Sequence, residues 1–197
     1  VAGGRIGCTG LRASRAAFGT APATATAQRG GDMTSGLGMI RTLGPSDGEH
    51  VGRPGVLHDR FLVNGTETEG RFAVVEHLLP PRAIAAPLHR HHHEDEYSFI
   101  LEGRVGVLID GEERVGAAGD FVFKPRGQWH TFWNAGDAPA RILEIISPGG
   151  FEQAFRDLDE LGGELTPEAV AVVGQRYSVD IDFEGTGPVV ERHGLTM

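Results

Sequence analysis

The chain has 197 residues, a formal net charge of −9 and 40% hydrophobic residues, which fits one domain with its own core plus appendages. The acidity argues against a nucleic-acid partner, because a binding face would first have to overcome repulsion from the phosphates. No apolar run approaches the ~18 residues of a membrane helix, and a lone Cys8 excludes an intrachain disulfide and thiolate-rich zinc sites.

The first 36 residues stand apart. They carry Arg5, Arg12, Arg15 and Arg29 against Asp32 alone, a balance of +3, leaving 14 basic and 26 acidic residues, or −12, for the remainder. Stretches such as "GTAPATATAQRGG" have no amphipathic period. The best apolar run, Ala16-Ala17-Phe18, falls short of the roughly 7–15 residues of a secretory signal. The arginines suit an organellar transit peptide, but the many glycines do not. We expect residues 1–36 to be a disordered tail, or a misassigned start with Met33 or Met39 as the true one, and we expect a cytoplasmic protein.

Residues 37–150 read as a barrel. "RFLVN" (60–64), "RFAVVEHLL" (71–79), "YSFILE" (97–102), "VGVLID" (105–110), "DFVFK" (120–124), "HTFWN" (130–134) and "ARILEII" (140–146) are short β-rich runs, each closed by Gly, Pro or another turn residue. That rhythm predicts an all-β sandwich or barrel. Asp110-Gly111 predicts a two-residue hairpin of type I′, because both residues tolerate positive φ. Residues 151–197 read as a helical extension. "FEQAFRDLDELGG" (151–163) spaces Phe151, Phe155, Leu158 and Leu161 helically and ends in a double glycine. "TPEAVAVVGQRY" (166–177) opens with Thr166 as N-cap and Pro167 at the first helical position. We expect both helices on the outside or at the mouth of the barrel.

Four of the nine histidines fall between positions 89 and 93. His89 and His91 are two apart and share a face if extended; Glu96 follows after a charged bend, and His130 lies on another predicted strand. Two or three imidazoles plus a carboxylate suit a divalent first-row metal, since neutral nitrogen fits borderline ions and one carboxylate offsets half the charge. A solvated loop is the competing reading, and it accounts for His92, His93, Glu94 and Asp95. It gives no reason for His130. His50, His58, His77 and His193 have no partners at ligand spacing and read as ordinary surface or core residues.

These spacings resemble the cupin superfamily. His89, His91, Glu96 and Gly103 match its first motif, and Gly119, Pro125, Gly127, His130 and Asn134 match its second without a gap. One departure is Ala83, where the family often has glycine. The resemblance covers roughly residues 60–147 and implies a double-stranded β-helix, a jelly-roll barrel. His89, His91, Glu96 and His130 would then be ligands of one divalent transition metal: iron, manganese, copper, nickel, cobalt or zinc.

The remaining motif residues read as architecture. Gly103, Gly119 and Gly127 suit turns, Pro125 a strand exit, and Asn134 a turn bonded to backbone. Alternation places Ser98 and Ile100 on the face of Glu96, and Phe132 on that of His130. Ser98 and Phe132 are candidate substrate contacts or barrel core, and Ile100 is core at least as readily. Trp129 shields the site or packs outside.

Three imidazoles and one carboxylate leave coordination positions open, as a working rather than a structural metal requires. The resemblance to quercetinase-like cupins implies a dioxygenase for a small aromatic or enolisable molecule, with Glu96 both ligand and base. An O2-independent isomerase, cyclase or decarboxylase and a non-catalytic binding module remain open. By fold analogy we expect a homodimer, with a small-molecule substrate as its other partner.

Overall fold

The computed structural model describes residues 41–52, 57–162 and 165–196; the expected tail and its alternative starts lie outside these. In chain order the elements are β1 (Glu49–Gly52), β2 (His58–Val63), β3 (Ala73–Leu79), β4 (Leu88–His91), β5 (Asp95–Glu102), β6 (Arg104–Ile109) and β7 (Glu112–Ala117). There follow β8 (Phe121–Lys124), β9 (His130–Asn134), β10 (Ala140–Ser147), α1 (Gln153–Leu161), α2 (Pro167–Arg176), β11 (Val179–Asp182) and α3 (Phe183–His193). The strands form two antiparallel sheets, a six-stranded one ordered β1-β2-β3-β10-β5-β8 and a five-stranded one ordered β11-β4-β9-β6-β7. This is the double-stranded β-helix that the two motifs imply.

Period-two alternation decides what enters the barrel. In β10 the buried residues are Ala140, Ile142, Glu144 and Ile146, and in β5 they are Glu96, Ser98 and Ile100. The register pairs Ile142 with Ile100, Glu144 with Ser98 and Ile146 with Glu96. One half of the barrel is therefore apolar, with Leu79, Ile100, Val105, Val107, Phe132, Ala140 and Ile142 packed together. The other half receives charged side chains. At the β6–β7 hairpin Asp110 and Gly111 have φ of 45° and 84°, as the type I′ turn requires.

The two predicted helices form, with the Thr166 hydroxyl accepting from the Ala169 N–H at 3.3 Å. The structure adds β11 and α3 beyond them. Gly185, Gly187 and Pro188 depress the helix propensity of the last segment, and burial outweighs that deficit. Val189 packs with Ile84, Trp133 and Leu195 on the outer face of the five-stranded sheet, and Asp182 Oδ1 accepts from the Gly185 N–H at 2.7 Å. Trp133 lies so close over Gly106 that a Cβ there would stand 2.2 Å from the ring. Among the described residues no helix is long and apolar enough to cross a membrane.

Candidate metal centre

The chain brings all four predicted ligands to one place. His89 and His91 stand on β4, His130 on β9 and Glu96 on β5, so three come from one sheet and the fourth from the sheet facing it. His89 and His130 are direct partners across the β4–β9 pair. All four side chains are buried, and one ligand atom from each can be chosen so that all lie within 4.8 Å of one another.

The hydrogen bonds around the rings fix which nitrogen faces inward. His89 Nδ1 donates to the Pro87 carbonyl at 2.8 Å, His130 Nδ1 to the Gln128 carbonyl at 3.1 Å, and His91 Nδ1 to the Glu94 carboxylate at 3.3 Å. A carbonyl or carboxylate oxygen can only accept, so each Nδ1 carries a proton and each Nε2 is left to face the cluster. His91 Nε2 is buried 3.4 Å from Glu96 Oε1 but has no hydrogen-bond partner among the described residues. His130 Nε2 lies 3.2 Å from Glu96 Oε2. The buried His91 nitrogen, three rings oriented from behind, and a carboxylate among them fit a divalent metal, and the cluster can bind one.

Electrostatics prepare the same groups. Burial, reinforced by the neighbouring His130 and His91, holds His89 well below the ordinary histidine value and so keeps it neutral. Burial would push Glu96 up, but Lys124, His91 and His130 outweigh it and hold the carboxyl well below its usual range. Lys124 is buried too; Glu144 and Glu96 overcome its desolvation and keep it protonated.

The other predicted positions divide. Ser98 and Phe132 face the interior, but Ser98 donates its hydroxyl proton to Glu144 at 2.8 Å, and the Phe132 ring carries Lys124 Nζ 4.2 Å from its centroid. Ile100 is core. Trp129 packs outside, under the Arg90 guanidinium. His92 and His93 are exposed and Asp95 partly so, as a solvated loop requires. Glu94 departs from that reading: it is buried and orients His91. Its signal was its position three residues after His91 in a bend. Lys124 and Glu144 were also missed, although alternation with Ile142 and Ile146 puts Glu144 inward. His77 pairs with buried Asp59 at 2.7 Å, while His50 and His58 pair at the surface.

A cavity of about 370 Å³ is lined by Val107, Ile109, Asp110, Glu112, Arg114 and Gln128. Ile109 pairs with His130 and Val107 with Phe132, so these side chains share a face. From α1's side, Phe151 meets His91 edge-on at 4.3 Å.

A family model described as the cupin domain matches residues 75–146, the span that holds all four residues. The chain is 38% identical over 81 residues to the tetracenomycin polyketide synthase protein TcmJ of Streptomyces glaucescens, covering 41% of this chain and 52% of that protein. It is 30% identical over 112 residues to quercetin 2,3-dioxygenase of Bacillus subtilis, covering 56% of this chain and 32% of that protein. The chain thus spans about half or less of these curated relatives. A sugar phosphate isomerase structure from Silicibacter pomeroyi overlaps 54% of this chain and 75% of its own, at 26% identity and a TM-score of 0.47. With that span matched and both motifs seated on the strands that carry the clustered side chains, residues 75–146 form a cupin domain.

Proposed function

We propose that His89, His91, Glu96 and His130 hold one divalent transition metal and that the protein is a dioxygenase acting on a small aromatic or enolisable molecule. The observation that carries the metal is the convergence of three Nε2 atoms on Glu96 while their Nδ1 atoms are all engaged outside the cluster. The likeness to a quercetin dioxygenase and to a polyketide synthase protein supports a substrate rich in phenolic or enolisable oxygens. Iron, manganese, copper, nickel or cobalt would supply Lewis acidity towards a substrate oxygen and electron exchange with dioxygen; zinc would supply the first alone.

The protein's own groups do the rest. Substrate enters the cavity beside Ile109 and Val107, and Arg114 and Gln128 at its wall meet polar substituents. We assign substrate contact to Phe132, which pairs with Val107 across β6–β9, and to Ser98 on the inward face of β5. Glu96 accepts the proton of a substrate hydroxyl; Lys124 ensures that it starts ionised, although the same ion pair weakens it as a base. Phe151 keeps water from His91. An O2-independent cyclase, isomerase or decarboxylase is the second reading, supported by the likeness to the polyketide synthase protein. The homodimer also stays in this reading, supported by the exposed Phe99, Phe121 and Phe123 at the β8 edge, and light scattering tests it.

Elemental analysis of purified wild type, His89→Ala and His130→Ala tests the centre: stoichiometric metal is expected in the first and loss in both variants. An oxygen electrode with flavonols and polyphenolic ketones tests the reaction. Unchanged metal in both variants overturns the centre, and turnover without oxygen uptake transfers the function to the second reading.

A further inference from the structure

Lys124 closes β8 and is 1% exposed. Its Nζ lies 2.9 Å from Glu96 Oε2 and 3.0 Å from Glu144 Oε2. Glu144 is fully buried; the same Oε2 accepts the Ser98 hydroxyl, and Oε1 has no hydrogen-bond partner among the described residues. An ammonium is thus seated on the one anionic member of the metal cluster, with a second carboxylate on its far side. Burying a lysine beside two glutamates is expensive unless the charges answer one another, and here they do so incompletely. With neutral imidazoles, Lys124, Glu96 and Glu144 sum to −1; a divalent ion would make the sum +1. Without the lysine the two sums would be −2 and 0.

We propose that Lys124 is a built-in counter-cation that competes with the metal for Glu96, and that Glu144 sets the strength of that competition by drawing the ammonium towards itself. The proposal rests on the metal-centre reading above. Lys124 and a metal held by the cluster would share the Glu96 carboxylate in a dry interior, where like charges repel far more than in water. In metal-free protein the lysine keeps two neighbouring carboxylates from facing each other without a cation. In loaded protein it lowers affinity, so that the centre holds its metal less tightly than its four donors alone would. Lys124 is a positioning residue in this scheme and touches no substrate.

The experiment is a calorimetric titration of Co2+ into metal-free wild type, Lys124→Met, Lys124→Arg and Glu144→Gln. Lys124→Met is expected to bind Co2+ on the order of tenfold or more tightly while its metal-free form melts at lower temperature. Lys124→Arg, which keeps the charge, should stay within about threefold of wild type. Glu144→Gln leaves the ammonium wholly on Glu96 and should weaken binding several-fold. A lysine with a purely structural role would lower stability in Lys124→Met without tightening the metal, and that result overturns the proposal. So does Glu144→Gln binding as tightly as wild type or tighter, which decides the matter alone if Lys124→Met does not fold without metal. Wild type that takes up no Co2+ overturns the metal centre and this inference with it. Loss of Co2+ in His130→Ala beside unchanged affinities in the Lys124 and Glu144 variants overturns this inference alone.

Discussion

Asn134 is fully buried at the end of β9, and replacing it with alanine should unsettle the fold without emptying the metal centre. Its amide NH2 donates to the carbonyls of Leu79 at 3.1 Å, Pro80 at 2.9 Å and Ala138 at 2.8 Å, and its Oδ1 accepts from the Gly136 N–H at 2.8 Å. Two protons serve three acceptors, so the side chain counts for about three hydrogen bonds. At about 1 kcal/mol net each, their loss costs about 3 kcal/mol. For a chain of this size that lowers Tm by roughly 6–12 °C. Aspartate keeps the shape but has no donor and turns a carboxylate towards three carbonyl oxygens, so Asn134→Asp should lose at least as much as Asn134→Ala. Urea unfolding and thermal circular dichroism measure both, with metal content read alongside and expected to be retained. An alanine variant that loses less than ~1 kcal/mol, or an aspartate variant as stable as wild type, refutes the account.

Asp59 and His77 predict a pH dependence. Burial favours the neutral imidazole, but the Asp59 carboxylate outweighs it and raises His77 above its ordinary value. Stability from this pair is complete below about 6.5, the value for an unfolded histidine, and fades as pH rises through the raised folded value. The stability gap between wild type and Asp59→Asn should therefore be wide at pH 6 and narrower at pH 9; a constant gap in urea titrations contradicts this. Glu94→Ala removes the acceptor that orients His91 and should weaken Co2+ binding about 10–100-fold by equilibrium dialysis. Unchanged affinity would mean that the ring is held by its packing alone.

What was legible in the sequence followed from local rules. Strand order of polarity and the Asp110-Gly111 turn depend on residues close in the chain, and the two motifs of the resemblance supplied His130, which the structure brings to His89, His91 and Glu96. What was not legible depends on packing from afar. For "FEGTGPVVERH" the capping Asp182 is offset by Gly185, Gly187 and Pro188; Trp133 and Ile84, more than 49 residues upstream, give the segment a face to cover. Lys124 ends the run "DFVFK", and only its meeting with Glu144 from β10 explains a buried charge there. Ser98 pointed inward as alternation required, but alternation could not reveal that its proton already belonged to Glu144.

The strand that carries His89 and His91 has unequal neighbours. It meets β9 at the single position His89–His130, whereas β11 pairs with all four of its residues, setting Val179 against His91 and Ile181 against His89. Because β11 comes some ninety residues later, a nascent chain would emerge with most of its barrel before that support exists. A version trimmed to residues 75–146 would keep every donor atom and lose the brace that aligns two of them.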